Sequence, residues 1–191
     1  GETGEVMWTN TGTRLSLAGQ GGGPGIYDLD GDGQVEVVHA TTILNGQDGL
    51  IRGEGEYGVG LDYVWPHARF GVAADINQDG LLEVVAGNAL YDAWGHTIWY
   101  NGEADGFVAV GNFDDDPFGE IVVSKHGWVR LQDDDGTVLW SNHYGSDNSG
   151  PPVIADFDAD GRPEIGVSGY FNFTMLDTDG TVIWTRPIQD D

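Results

Sequence analysis

A nine-residue acidic pattern occurs four times along this chain and constrains its fold more than any other feature. Each copy has oxygen-bearing side chains at positions 1, 3, 5 and 9, and a stretch rich in Val or Ile follows. The copies cover residues 28–36, 75–83, 112–120 and 156–164, so their starts are 47, 37 and 44 residues apart (75−28, 112−75, 156−112). Periods of this length are typical of repeat architectures, in which each unit is one small supersecondary structure.

The spacing of these oxygens matches the needs of a hard cation. Calcium takes six to eight oxygen ligands, which a short loop supplies from alternate side chains, a backbone carbonyl and a closing carboxylate. An EF-hand would place its last glutamate at position 12 and continue into a helix, whereas here a strand follows position 9. We therefore predict structural Ca²⁺ in these loops, up to four ions in all. The predicted ligands, with a carbonyl donor at position 7, are Asp28, Asp30, Asp32, Gln34 and Glu36; Asp75, Asn77, Asp79, Leu81 and Glu83; Asn112, Asp114, Asp116, Phe118 and Glu120; and Asp156, Asp158, Asp160, Arg162 and Glu164.

The third copy departs from the others in two ways. Pro117 stands where the other three loops have glycine, and proline cannot adopt the positive φ for which that glycine is used. Asn112 removes one negative charge from position 1. We therefore expect the third site to be the weakest of the four or to differ in geometry.

A second repeated feature lies between the acidic loops. It is an apolar strand, a turn that ends in glycine, and a second strand that carries tryptophan four residues after that glycine. Glycine between apolar strands, especially as Asp-Gly, predicts a β-hairpin. The turns end at Gly49, Gly95, Gly136 and Gly180, and the tryptophans are Trp99, Trp140 and Trp184, with an isolated copy at Gly4–Trp8 and none in the first repeat. The tryptophans form either a sugar-stacking ladder or packing between repeats, and their fixed place on the strand favours packing, so we expect Trp140 and Trp184 to be buried.

Each repeat is thus predicted to have four strands, A to D, with the calcium loop between A and B and the hairpin between C and D. No segment shows helical periodicity. Four-stranded antiparallel units at this period are typical of propeller blades. We predict one all-β domain of β-propeller type with four four-stranded antiparallel blades. Its parts are residues 1–25 (a leading strand and Gly-rich linker), 26–70 (blade 1, with an aromatic insert at 53–70), 71–107 (blade 2), 108–150 (blade 3) and 151–191 (blade 4).

These motifs resemble those of a known family. Asp-x-Asp-x-Asp-Gly-x-x-Glu followed by a Val/Ile strand resembles the FG-GAP/VCBS repeats of integrin-type β-propellers, and the Leu-x-Asp-x-x-Gly-x-x-x-Trp hairpin is similar to that of bacterial extracellular members. The resemblance covers roughly residues 26–186. It implies a calcium-binding β-propeller in which the calcium carries structure rather than chemistry, at an extracellular or cell-surface location. Such propellers serve in adhesion, glycan binding and scaffolding and, occasionally, as polysaccharide lyases.

The charge balance limits the partners of the chain. Seven Lys and Arg against 32 Asp and Glu give a net charge of −25, and four Ca²⁺ would leave −17 (−25+8). Such a surface argues against nucleic acid or anionic lipid as a partner. No run of apolar residues is long enough to insert into a membrane.

The irregular insert at 53–70 supplies the candidate ligand platform. Functional residues concentrate on such loops, and Tyr57, Tyr63, Trp65 and His67 offer aromatic surfaces to a glycan or a peptide. The alternative is that Trp65 and the nearby Phe70 fill a gap between blades.

The sequence favours a non-catalytic extracellular module that acts as a scaffold, adhesion or assembly unit, including a filament-forming one. The first alternative is a lectin that uses the 53–70 insert, and the second is a fragment of a polysaccharide lyase of the rhamnogalacturonan type. One lysine and six arginines are a thin supply of the basic groups that a lyase needs, so we predict no enzyme and no catalytic residues.

The position of residues 4–9 within the repeat unit predicts how the chain assembles. Gly4 and Gly180 hold the same place in their units, and they are 176 residues apart, or four periods of 44 (180−4). Residues 4–9 are therefore an extra D-type strand, while the last blade already has its own at 181–186. Because an unpaired strand edge is a template for another chain, we expect head-to-tail contact with other copies, or with the rest of a longer repeat protein.

Overall fold

The computed structural model of the chain describes residues 3–10, 22–58, 69–145 and 149–188. Those residues contain eighteen strands and no helix, which confirms the predicted all-β class. It follows that the described part of the chain has no helix long and apolar enough to cross a membrane.

Sixteen of the strands form four four-stranded antiparallel sheets, as predicted, and in each sheet the strands lie in sequence order. The remaining two, β1 (Gly22–Gly23) and β6 (Arg69–Phe70), form a short parallel pair. Sheet 1 contains β2 (Gly25–Tyr27), β3 (Glu36–His39), β4 (Thr42–Asn45) and β5 (Ile51–Glu54). Sheet 2 contains β7 (Ala73–Ala74), β8 (Glu83–Ala86), β9 (Ala89–Tyr91) and β10 (Thr97–Tyr100). Sheet 3 contains β11 (Phe107–Gly111), β12 (Glu120–Lys125), β13 (Trp128–Gln132) and β14 (Val138–His143), and sheet 4 contains β15 (Val153–Ala155), β16 (Glu164–Ser168), β17 (Asn172–Leu176) and β18 (Val182–Pro187).

The second strand of a sheet is apolar on both faces because each face packs against a different neighbour. In β12, Val122 packs against sheet 4 while Ile121 and Val123 pack against sheet 2. Side chains alternate between the faces of a strand, so a continuous Val/Ile run is what a sheet covered on both sides requires.

Three buried apolar clusters join successive sheets, and position 2 of an acidic loop contributes to each. Leu29 lies in the cluster between sheets 1 and 2, Ile76 between sheets 2 and 3, and Phe113 between sheets 3 and 4. In the described part of the chain no such cluster joins sheet 4 to sheet 1. The sheets therefore follow one another in a row, each packed on the next.

A repeated hydrogen-bonded contact, which we call the Trp–turn contact, links a D-type strand to the C–D turn of a sheet. The tryptophan Nε1 donates to a turn carbonyl at 2.6–3.0 Å, and an asparagine two residues later donates to the carbonyl of the turn glycine at 2.7–3.0 Å. The indole pairs are Trp8–Gly46, Trp99–Asp134 and Trp140–Thr178, and the amide pairs are Asn10–Gly49, Asn101–Gly136 and Asn142–Gly180.

Both the backbone conformation and the close packing of the tryptophan require glycine at the ends of these turns. Gly49, Gly136 and Gly180 have φ between +70° and +85°, a backbone conformation that residues other than glycine rarely adopt. A Cβ atom there would lie only 2.3–2.8 Å from the facing tryptophan ring. The junction between sheets 1 and 2 lacks the tryptophan, and Gly53 lies instead against the backbone of Trp94 and Gly95.

The tryptophans that were expected to be buried are both half-buried. Trp140 does reach from sheet 3 to the turn of sheet 4, so its placement between two sheets is as predicted. Trp184 is also half-buried, but its ring contacts Phe173 and Arg186 of its own sheet. Among the described residues, Trp184 does not lie between two sheets, so the prediction that it is buried there is wrong.

Candidate metal sites

The acidic loops connect the first and second strands of each sheet, and their side chains hold the loops in shape. The oxygens at positions 3 and 5 each accept a hydrogen bond from the backbone N–H two residues later, at 2.7–3.3 Å. These local bonds turn the backbone and bring the alternate side chains to the same side. The acceptors are Asp30 and Asp32 in loop 1, Asn77 and Asp79 in loop 2, Asp114 and Asp116 in loop 3, and Asp158 and Asp160 in loop 4.

The closing glutamate has the same geometry in all four loops. It begins the second strand, is buried, and accepts the backbone N–H of position 2 on Oε2 at 2.5–3.0 Å. The donors are Leu29 to Glu36, Ile76 to Glu83, Phe113 to Glu120 and Phe157 to Glu164. One oxygen thus fixes the loop, and the other is left for a further partner.

Three of these loops contain a buried carboxylate oxygen that has no hydrogen-bond partner among the described residues: Asp28 Oδ1, Asp75 Oδ1 and Glu120 Oε1. A buried polar atom without a partner costs about 1–3 kcal/mol, and more if it is charged. Burial raises the pKa of Glu120 to about 6 and also raises the pKa of Glu83. A bound cation would satisfy these oxygens, so the residues present fit the predicted Ca²⁺.

The structure brings together most, but not all, of the predicted carboxylate ligands. Asp156, Asp158, Asp160 and Glu164 have carboxylate oxygens within 4.8 Å of one another. The same holds for Asp28, Asp30 and Glu36 in loop 1, where Asp32 is not part of the group, and for Asp114, Asp116 and Glu120 in loop 3. Loop 2, in which Asn77 replaces one acid, forms no group of three such carboxylates in the described structure.

Loop 1 differs from the others because an arginine faces its carboxylates. Arg52, on β5, donates from Nη1 to Glu36 Oε1 at 2.7 Å and from Nη2 to Asp30 Oδ2. The hydrogen bond from Arg52 lowers the pKa of Asp30. The guanidinium also lies 5.5 Å from the ring centre of Trp94. A cation of the protein itself therefore neutralises part of this site.

Loop 3 differs in its backbone, as the sequence predicts. In the other loops the N–H of the position-6 glycine donates to the position-1 carboxylate at 2.9–3.1 Å. Pro117 has no N–H, and the Asn112 amide instead donates to the carbonyls of Asp116, at 2.6 Å, and Phe118, at 3.2 Å. The Phe118 carbonyl, a predicted ligand, is thus already hydrogen-bonded.

The candidate aromatic platform lies mostly outside the described residues, which include Tyr57 but not Tyr63, Trp65 or His67. Tyr57 stacks on Tyr100, with ring centres 4.0 Å apart and planes at 13°, and its backbone N–H donates to the Tyr91 hydroxyl at 2.7 Å. Phe70 makes an edge contact with Phe107 at 5.7 Å. These contacts place Tyr57 in the packing between sheets 1 and 2.

Sequence reasoning missed two functional features. Arg52 stands three residues after its turn glycine, where the other sheets have Ile98, Leu139 and Ile183, so this exception was visible in the repeat alignment. The triplet Trp-x-Asn at residues 8–10, 99–101 and 140–142 was visible as well, and Arg186 takes the place of its asparagine in sheet 4.

Comparisons with known proteins give a fold and no family. No protein-family model and no curated protein matches the chain. Among solved structures, the V. cholerae biofilm matrix protein Bap1 is similar over 86% of this chain and 28% of its own, with a TM-score of 0.66 and 24% identity. Two structures of BBS1N in complex with ARL6DN are similar over 87% of this chain and 53% and 54% of theirs, with TM-scores of 0.56 and 0.52 at 15% identity. The chain spans about a quarter of the length of Bap1 and about half of BBS1N, and at these identities the likeness is one of fold.

Proposed function

We propose that this chain is a calcium-stabilised, non-catalytic repeat module of an extracellular scaffold or adhesion protein, with its four sheets arranged as propeller blades. Calcium holds the loops between the first and second strands, where it offsets carboxylates that the fold brings together. The module itself does no chemistry and presents rigid sheet faces to other repeats or to other copies.

The closing glutamates carry the calcium part of the proposal. Each uses one oxygen to fix the backbone of its loop, and in loop 3 the second oxygen is buried with no partner among the residues that the structure describes. A buried carboxylate in that position is costly unless a cation completes its coordination. In loop 4 four carboxylates lie within 4.8 Å of one another, and the repulsion among them favours a bound cation.

The extracellular and adhesive part of the proposal is supported by two observations. Bap1, which shares the fold, is a biofilm matrix protein. A net charge of −25 also suits surroundings in which calcium is abundant, because the cation-free chain repels itself. The packing of each sheet on the next supports the propeller arrangement, since blades contact their neighbours in this way.

The test is the melting temperature of the protein in excess calcium and in excess chelator. A ligand at about 100 times its Kd stabilises the folded state by about 2.7 kcal/mol per site. For a domain of this size each kcal/mol raises Tm by about 2–4 °C. We therefore expect a rise of about 5–10 °C for each occupied loop, and a smaller rise with Mg²⁺, which demands tighter octahedral geometry.

A matched variant locates the effect. D158N/D160N removes two carboxylates from loop 4, the loop with the largest acidic group, and should lower the calcium-dependent rise while leaving Tm in chelator unchanged or higher. The double variant E54Q/E103Q, which removes two carboxylate charges at exposed positions outside the loops, is the control for net charge. If calcium leaves the Tm of the unsubstituted protein unchanged, the proposed role of the loops is wrong.

A further inference from the structure

One peptide group in each of loops 2 and 3 faces two acidic loops at once. It joins positions 7 and 8, so its carbonyl is the backbone ligand predicted for its own loop. Its N–H donates to the position-2 carbonyl of the preceding loop, from Leu82 to Leu29 at 2.9 Å and from Gly119 to Ile76 at 3.0 Å. Because a trans peptide group is planar, its N–H and C=O point in opposite directions. The preceding loop therefore sets the orientation of the ligand carbonyl.

Position 2 of the preceding loop is itself held in place. Its N–H donates to the closing glutamate of its own loop, from Leu29 to Glu36 at 3.0 Å and from Ile76 to Glu83 at 2.9 Å. Its side chain is fully buried in the cluster between the two sheets. One residue thus joins the closing carboxylate of one loop to the ligand peptide group of the next.

Loop 2 is linked to both of its neighbours in this way. Its own ligand peptide group is held by loop 1 through Leu82, and it holds that of loop 3 through Ile76. Gln78 adds a side-chain contact to loop 3, because its Nε2 donates to the carbonyl of Pro117. Asp75 Oδ1 of loop 2 is buried without a hydrogen-bond partner among the described residues. The middle loop thus combines an unsatisfied carboxylate oxygen with backbone links on both sides.

The series of links ends between loops 3 and 4. Pro163 occupies position 8 of loop 4, and proline has no N–H to donate to the carbonyl of Phe113. A cleft of about 390 Å³ lies there, lined in part by Phe113, Asp114, Asp160 and Pro163. The carbonyl of Pro163 accepts a hydrogen bond from Thr178 Oγ1, in the C–D turn of its own sheet, at 2.9 Å. In the described part of the chain, loop 4 makes no backbone hydrogen bond to loop 3.

We propose that loops 1, 2 and 3 bind calcium cooperatively through these shared peptide groups, whereas loop 4 binds it independently. Coordination of the position-7 carbonyl polarises its peptide group and strengthens the N–H as a donor, because hydrogen bonds in series polarise one another. The stronger bond fixes position 2 of the preceding loop and, through it, the closing glutamate. Conversely, a preceding loop that is already closed presents the next ligand carbonyl in its binding orientation. The inference rests on the proposed binding of calcium and adds how the sites regulate one another.

Charge alone predicts coupling of the opposite sign. Two bound cations repel each other, so neighbouring loops without a link should bind calcium less tightly together than apart, or independently where salt screens them. Loop 3 allows the comparison within one molecule, because its links to loop 2 have no counterpart towards loop 4. Coupling is reciprocal, so the loss of either neighbouring site can be measured at loop 3.

The experiment removes one neighbour of loop 3 at a time. D75N/D79N disables loop 2, and D156N/D160N makes the same changes, at positions 1 and 5, in loop 4. The amide chemical shift of Phe118, whose N–H donates to Asp116 within loop 3, follows this loop during calcium titration. We expect D75N/D79N to weaken calcium binding at loop 3 about fivefold and D156N/D160N to leave it within about twofold.

The other loops are followed in the same titrations. The position-6 glycines Gly33, Gly80 and Gly161 each donate to the position-1 carboxylate of their own loop, so their amide shifts report on loops 1, 2 and 4. D75N/D79N should weaken calcium binding at loop 1 as it does at loop 3, and should leave loop 4 unchanged. In the unsubstituted protein, the curve of Gly80 should be steeper than single-site binding and that of Gly161 should not.

Pro163→Leu tests the peptide group itself. Loop 2 has leucine at this position, so the variant supplies an N–H where loop 4 lacks one. In the P163L background, D156N/D160N should weaken calcium binding at loop 3 about fivefold, as the loop 2 variant does in the unsubstituted protein. If coupling stays absent although the new amide is protected from hydrogen exchange, the assigned role of the peptide group is wrong.

Equal effects of the loop 2 and loop 4 variants at Phe118 overturn the proposal, and so does a Gly80 amide that does not respond to calcium. If D75N/D79N does not fold, the unsubstituted protein decides, since single-site curves at Gly33, Gly80 and Phe118 alike overturn cooperative binding. Loops that bind calcium independently leave the proposed function intact. A protein in which no loop responds to calcium counts against that function as well.

Discussion

Loop 1 (residues 28–36) and loop 3 (residues 112–120) hold their closing glutamates by the same backbone hydrogen bond but differ in what faces the second carboxylate oxygen. In loop 1, Arg52 donates to Glu36 Oε1 at 2.7 Å. In loop 3, Glu120 Oε1 is buried and has no hydrogen-bond partner among the described residues. Loop 1 therefore brings its own counter-charge, whereas in loop 3 only the proposed cation would supply one.

The difference arises outside the loops. The residue of sheet 3 that corresponds to Arg52, three positions after the turn glycine, is Leu139, which is exposed and contributes no charge. One residue on another strand, Arg52, thus neutralises part of loop 1 and has no counterpart at loop 3. The proposed calcium would have to displace Arg52 or share its partners, so we expect stability without calcium and affinity for calcium to be opposed in these two loops.

The largest expected effect is an opposite response to the same substitution. In chelator, Glu36→Gln removes the charge that faces Arg52 and should lower the free energy of unfolding by about 2 kcal/mol. Glu120→Gln removes a buried charge that has no partner and should raise it by about 1 kcal/mol. Chemical denaturation of each variant measures both values.

Glu103→Gln is the control for this pair, because it makes the same chemical change at an exposed position and should stay within about 0.5 kcal/mol of the unsubstituted protein. If Glu36→Gln and Glu120→Gln shift stability in the same direction, the contrast between the loops is wrong. Calcium titration of Glu120→Gln should also show one fewer site.

The second effect concerns calcium affinity at loop 1. Arg52→Ile gives β5 the kind of apolar residue found in the other sheets and removes the cation that competes for Asp30 and Glu36. We expect calcium to bind loop 1 about tenfold more tightly. Amide chemical shifts of Leu29 and Gly33 during titration report on this loop alone.

Arg186→Ile removes the same charge far from the loop and should leave these titration curves unchanged. Weaker binding in Arg52→Ile would mean that the guanidinium orients the carboxylates for calcium and does not compete with it. In chelator, Arg52→Ile should lower Tm, because Asp30 and Glu36 then lose their shared partner.

The sheets were predictable from the sequence because the signals for them are local. Glycine turns between apolar strands fix each hairpin, and the repeat period fixes their number. The order of packing was not predictable in this way. Trp140 faces a turn 38 residues later in the chain, and only the structure shows that Asn142 donates to the same turn.

The same limit applies to the candidate sites. Positions 1, 3, 5 and 9 lie in one short loop, so their convergence follows from spacing. Arg52 lies 16 residues after Glu36 (52−36), and it reaches the loop through the register of β3, β4 and β5. Pro117 and Asn112 each depart from the repeat pattern in the sequence, but only the structure connects them, because the Asn112 amide donates to two backbone carbonyls beside Pro117.

That connection gives the smallest and most specific prediction, a coupling between two positions in loop 3. Asn112→Asp alone sets a carboxylate against the carbonyls of Asp116 and Phe118, and Pro117→Gly alone supplies an N–H that has no carboxylate to receive it. Together they restore the arrangement of loop 1, in which the N–H of Gly33, at a φ of +85°, donates to Asp28 at 2.9 Å.

We expect each single change to lower stability in chelator and the double variant to recover about 1 kcal/mol relative to the sum of the two. The double variant should also bind calcium in loop 3 about threefold more tightly, because it gains a carboxylate and frees the Phe118 carbonyl. Additive effects in the double-mutant cycle would contradict this account, since they would mean that the asparagine and the proline act independently. The cycle thus tests whether Asn112 and Pro117 are two independent defects in loop 3 or a coupled pair that closes the loop by different hydrogen bonds from those of loop 1.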